Sequence, residues 1–172
     1  MENLSLEQFT KDIFNVTENT VYEILERFEG SRDVDKSLTY TFIKAFYIHS
    51  LKLYMENKQK SDSFDSIYSA YKEELKNYYK RNNSLISDEL LNDLMESFDK
   101  CFEIAESISF TDIESDYDFR HHIIDVFELL KIILENKSKT TIRQDIFENY
   151  ISKFKRESEM VFEIYDNTKI ID

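Results

Sequence analysis

Helix-breaking residues are all but missing from this chain: its 172 residues include no proline and a single glycine, Gly30. Ordinary usage would supply roughly 7% glycine and 5% proline, the residues that punctuate turns, bulges and barrel corners. Their scarcity predicts long helices joined by polar loops. It also removes the glycine-rich phosphate cradles on which nucleotide enzymes depend. The expected fold is all-α, a single domain over 1–172 built as an antiparallel bundle or array of about six helices.

Periodicity places those helices. The first is expected at about 6–28, with Ser5 and Gln8 as a capping box and Phe9, Ile13, Val16, Ile24 and Phe28 on one side. Gly30 stands where a C-terminal cap belongs. The second, about 37–57, is apolar around most of its circumference, which predicts a central position. The third, about 64–82, carries Phe64, Ile67, Tyr68, Tyr71, Leu75, Tyr78 and Tyr79 at three- and four-residue steps. Ser87 would cap a fourth, about 88–108, with Leu91, Leu94, Met95, Phe98, Phe102 and Ala105 facing the core. A fifth is expected at about 117–136, and a sixth at about 142–165 behind a Thr141–Gln144 capping box. Short connections favour up-and-down neighbours or three helical hairpins, and no sheet is expected. The hairpins share no recurring signature, so the chain is not read as a tetratricopeptide or HEAT array.

Hydrophobic residues make up 41% and aromatics 15%, too many for a disordered chain despite a net charge of −13. A lone cysteine, Cys101, excludes an internal disulfide and fits a reducing compartment. Residues 1–8 have neither a basic start nor an apolar run, so no signal peptide is expected, and no stretch approaches a membrane span. The expectation is a soluble, cytoplasmic protein with no membrane association. Abundant Ile, Lys, Asn, Tyr and Phe suit an AT-rich genome, that of a low-GC bacterium or its phage.

Charge is segregated. Residues 1–35 carry a net −6 and residues 36–81 a net +4, while 88–118 hold eleven acids against Lys100 alone. On the fourth helix Glu89, Asp93, Glu96, Asp99, Glu103 and Glu106 follow helical steps opposite the apolar stripe, and Asp112, Glu114, Asp116 and Asp118 extend the series. Like charges at such spacings repel by roughly 0.2–0.5 kcal/mol per pair, so helix stability does not call for them. Three roles fit: a solvated face that maintains solubility, a strip that binds a basic partner surface, or internal docking against the basic second and third helices. The last could equally join two copies in a homodimer. A row of carboxylates matches the spacing scale of a nucleic-acid backbone, the tactic of phage inhibitors and of immunity proteins that occupy cationic grooves.

Catalytic and cofactor chemistry finds little support. The alternating acids at 112–118 imitate a calcium loop, but Tyr117 replaces its glycine and Ile123 its bidentate glutamate. Asp118 with His122, and His121 with Asp125, form two-ligand clips where a catalytic zinc takes three protein ligands. No metal, no cofactor and no catalytic residue are expected. Cys101 on an acidic helix disfavours a thiolate, and His49 interrupts an apolar helix as a core or rim histidine. Direct nucleic-acid binding is opposed by the net charge; the tempting patch of Lys72, Lys76, Lys80 and Arg81 beside Tyr78 and Tyr79 has its tyrosines on the apolar face.

The reading is a non-catalytic acidic protein that binds a protein with a basic surface through its carboxylate strip, of the inhibitor, immunity or anti-defence type. The alternative is a small-molecule sensor with a pocket lined by Tyr40, Phe42, Phe46, Tyr47 and Tyr54.

Overall fold

The computed structural model describes residues 1–26, 33–108 and 144–171. Strand β1 (Glu2–Ser5) leads into helix α1 (Leu6–Asn15), capped by Ser5, whose Oγ accepts the Gln8 backbone N–H at 3.2 Å. Only that half of the expected capping box forms. The Gln8 amide instead donates forward to Asp12 Oδ1 at 2.7 Å.

The single helix expected over 6–28 is broken at Val16–Thr17, and α2 (Glu18–Glu26) begins afresh. Neither glycine nor proline causes the break. The carbonyl of Phe14, which a continuous helix would pair with the N–H four residues on, accepts instead from Lys44 Nζ at 2.7 Å and from Thr17 Oγ1 at 2.9 Å. Lys44 also donates to Thr17 Oγ1 at 2.7 Å and meets Glu18 Oε1 at 2.5 Å. A cation thus sits at the carbonyl end of α1 and an acid in the first turn of α2, both favoured by the helix dipoles. The N-terminus of α2 is completed from far away in sequence: Glu157 Oε1 accepts the Thr20 N–H at 3.2 Å while its Oε2 accepts from the Tyr47 hydroxyl at 2.6 Å.

Helix α3 (Asp33–Asn57) starts earlier than the 37 expected and is the central element, buried at every residue from Thr39 to Leu51. Rings fasten it to its neighbours. Tyr40 stacks on Tyr78 at 4.5 Å, Tyr47 on Phe154 at 4.3 Å and Tyr54 on Phe162 at 4.2 Å. Its C-terminus solves the problem of stopping a helix without glycine. Gln59 adopts φ 56°, its N–H bonds Glu56 O, and the Lys60 N–H reaches back to Met55 O, both at 2.9 Å. This is a Schellman cap with glutamine at the left-handed position.

A 3₁₀ turn (Ser61–Ser63) precedes α4 (Phe64–Asn82), and α5 (Asp88–Ile108) follows; the bounds of both helices match expectation. The last helix, α6 (Gln144–Asn167), runs into strand β2 (Thr168–Ile171). The expected fifth helix, Gly30 and Thr141 lie outside the described residues. Helix α3 packs most heavily on α5, and α1 on α4, so the main contacts are not between helices adjacent in sequence. Among the described residues no helix is long and apolar enough to cross a membrane.

The expectation of no sheet is corrected. β1 and β2 form a two-stranded parallel ribbon in the register Glu2↔Thr168 to Ser5↔Ile171. Thr168, Ile170 and Ile171 are β-branched, and Leu4 and Ile170 turn inward onto the core while Asn3, Ser5, Lys169 and Ile171 face out. Two strands alone are marginal in water, and the ribbon persists because α1 and α6 back it.

Burial pushes the Lys44 ammonium down to about 8, with Glu18, Glu157 and Glu74 opposing the shift. A base depressed in the folded state binds fewer protons than in the unfolded chain, so its contribution makes stability rise from about pH 8 towards 10.5. Buried Tyr40, Tyr47, Tyr71 and Tyr79 are pushed above their usual 10, which reverses the trend at higher pH. Urea denaturation should therefore show stability climbing between pH 8 and 10 and falling above it. The climb should vanish in Lys44→Met, which should also cost about 3 kcal/mol at neutral pH by removing the counter-cation of the partly buried Glu18 and the donor to the Phe14 carbonyl. Gln59→Gly should stabilise by up to ~1 kcal/mol, raising Tm by about 2–4 °C.

Candidate functional site

The acidic helix is built from its cap outward. Ser87 Oγ accepts the Leu90 N–H at 3.2 Å, and Asp88 and Glu89 occupy the first turn, where the helix dipole favours them. Leu91, Leu94, Met95, Phe98, Phe102 and Ala105 are buried against the core. Their burial fixes the rotation of α5 and therefore the direction of every carboxylate.

That rotation divides the strip. At 100° per residue, Asp99 and Glu106 lie roughly 70–90° from the centre of the apolar stripe, on the flank of the strip next to it. Asp99 accepts from the Tyr68 hydroxyl at 2.7 Å and pairs with Lys72, both on α4. Glu106 pairs with Lys52 of α3, whose ammonium lies 5.9 Å and 5.7 Å from the Phe64 and Phe102 ring centres. Burial, then the Asp99 carboxylate, pushes the Tyr68 hydroxyl well above its ordinary range. These two acids dock the helix onto the basic segment of the same chain.

Glu89, Asp93, Glu96 and Glu103 remain exposed. They span about 21 Å of helix axis at 1.5 Å per residue. Lys100 stands among them and reaches Glu96 only at 3.8 Å, with both side chains more than 70% exposed, a contact worth little. Asp112, Glu114, Asp116 and Asp118 lie outside the described residues, as do His121, His122 and Asp125. Among the described residues no group of three His, Cys, Asp or Glu side chains is arranged to hold a metal ion.

The other chemistry-bearing residues are taken up by the core. Cys101 is buried and its Sγ donates to Phe42 O at 3.9 Å. His49 is buried edge-on to Phe102, ring centres 5.5 Å apart. Tyr78 is stacked on Tyr40, and the Tyr79 hydroxyl donates to Ser37 O at 2.7 Å, so neither ring offers a face for base stacking. Arg81 pairs with the buried Glu74 at 2.8 Å.

No protein-family model matches the sequence, and neither the curated proteins nor the solved structures yield a match to it.

The two classes of carboxylate should separate in urea melts. Asp99→Ala should destabilise by about 1–2 kcal/mol, since it removes two hydrogen-bond donors' partner at a half-buried site. Asp93→Ala and Glu103→Ala should stay within about 0.5 kcal/mol.

Proposed function

We propose that this chain is a non-catalytic protein that binds a partner protein with a basic surface, using the exposed carboxylates of α5. Glu89, Asp93, Glu96 and Glu103 supply the complementary charge, and Asp99 and Glu106 hold the helix in place beneath them. Such a surface suits an inhibitor, immunity or anti-defence protein that occupies the cationic face of a nucleic-acid-handling partner. The observation that supports this reading most is the division of the strip. Internal pairing accounts for Asp99 and Glu106, while the remaining four carboxylates project outward at helical spacing with Lys100 as the single cation on α5. Fold stability does not account for them. A sensor pocket has weaker support, because Tyr40, Tyr47 and Tyr54, the rings it would need, are stacked on Tyr78, Phe154 and Phe162.

Reversing three of the open carboxylates tests the proposal. A chain carrying Asp93→Lys, Glu96→Lys and Glu103→Lys should keep its helical signal and its stability, because these side chains are exposed. Its association with a partner captured by the wild-type chain from source cells should weaken at least tenfold. The wild-type association rate should fall steeply above ~0.15 M salt, where the Debye length is about 8 Å. Binding that is unchanged by the reversals would return the strip to a solvated surface.

A further inference from the structure

On the side of the molecule built from the two ends of the chain, a groove of about 540 Å³ opens between the ribbon, α1 and α6. Leu4, Val16, Ile164 and Met160 give it an apolar floor and wall. The first three are partly buried against the core, while Met160 is 39% exposed. Its rim is acidic: Glu2, Asp12 and Glu163 come from three different elements, the Met1 α-ammonium is the one cation in the lining, and among the described residues no lysine or arginine side chain lines the groove. Asp12 is held in place by the Gln8 amide at 2.7 Å. No residue of α5 takes part.

A second groove, of about 330 Å³ between α1 and α4, makes a useful contrast. Four of its five charged side chains pair within it, Lys11 with Glu7 at 2.6 Å and Arg81 with Glu74 at 2.8 Å, while Glu73 meets Lys76 outside it at 4.0 Å. In the first groove three carboxylates outnumber one cation, the Met1 α-ammonium, among the described residues. It combines partly exposed apolar side chains with three carboxylates from separate segments.

We infer that this groove is a docking site for an amphipathic basic segment of a partner protein, with apolar anchors entering between Leu4 and Met160 and lysines or arginines meeting the carboxylate rim. Three physical features specify that occupant. The volume holds a few side chains, as small binding clefts do. A methionine wall adapts to anchors of varied shape. The rim selects cationic flanks by charge complementarity and repels fatty acids and acidic peptides. A helical segment would present its anchors at i, i+3 or i+4, and i+7. This inference concerns a surface separate from the α5 strip and does not rest on it.

Methionine methyl resonances make the test direct, because the chain's four methionines divide cleanly. Met1 and Met160 line the groove, whereas Met55 and Met95 are buried elsewhere. The probe is a synthetic helix of about 14 residues with leucines at i, i+3, i+4 and i+7 and lysines between, and its counterpart has glutamates in place of the lysines. Titration is carried out on the full chain bearing Asp93→Lys, Glu96→Lys and Glu103→Lys, so that attraction to α5 does not contribute. The Met160 methyl should shift saturably with the lysine peptide and not with the glutamate peptide, while Met55 stays fixed. Glu163→Lys, at an exposed position, should weaken that binding by about three- to fivefold with an unchanged circular dichroism melt. A motionless Met160, equal binding of both peptides, or indifference to Glu163→Lys would each overturn the assignment. Groove binding in the reversed chain leaves the α5 proposal to stand or fall on its own experiment.

Discussion

The arrangement of the molecule turns on one buried cation. Lys44 sits wholly within α3, and each of its contacts fixes a different piece of the chain. The Phe14 carbonyl ends α1, Thr17 forms the corner, and Glu18 starts α2. The Phe14 ring lies 3.8 Å below the ammonium, so even the apolar side of the site is electrostatically favourable. An ammonium removed from water is costly, and here its three donors all find acceptors. Beside it the Tyr40 hydroxyl donates to Glu18 Oε1 at 2.6 Å, and on the far side Glu157 holds Tyr47 and the first turn of α2. Four helices therefore meet at a polar knot in which each buried polar group is matched by a partner from another element.

The same logic explains why the surplus acid could be concentrated on one helix. The basic segment 36–81 is largely engaged with the fold: Lys44 is in the knot, Lys52 and Lys72 hold α5, and Lys58 meets Asp166 at 3.0 Å. Cations distributed over α3 and α4 serve as internal ties, and few carboxylates are needed to match them. Among the described residues, open carboxylates project from α5 on one surface and from the rim of the terminal groove on another.

Helix existence and placement were largely legible in the sequence, because amphipathic periodicity is a local property. The bounds of α4 and α5 follow from Phe64, Asn82, Ser87 and their apolar stripes, and the central position of α3 follows from its all-round hydrophobicity. What could not be read locally was decided by distant partners. The break at Val16–Thr17 depends on Lys44, and the cap of α2 depends on Glu157. The ribbon depends on pairing Leu4 with Ile170, although Thr168-Lys169-Ile170-Ile171 carried a β-branched signal that could have marked a strand. Within the acidic strip, spacing identified the carboxylates. Separating Asp99 and Glu106 from the rest required knowing that Tyr68, Lys72 and Lys52 lie against that flank.

The parallel ribbon has a temporal consequence. β1 is synthesised well before its only sheet partner among the described residues, β2, which is made after everything between them. At ~5–20 residues per second, β1 waits on the order of 10 s for its neighbour. During that interval Leu4 lacks Ile170, its partner in the finished ribbon. The helices that form meanwhile must already have brought the two ends within reach, since closing so long a loop gains nothing until the core has done so. Ribbon pairing therefore depends on the packing of the helices between the strands rather than leading it.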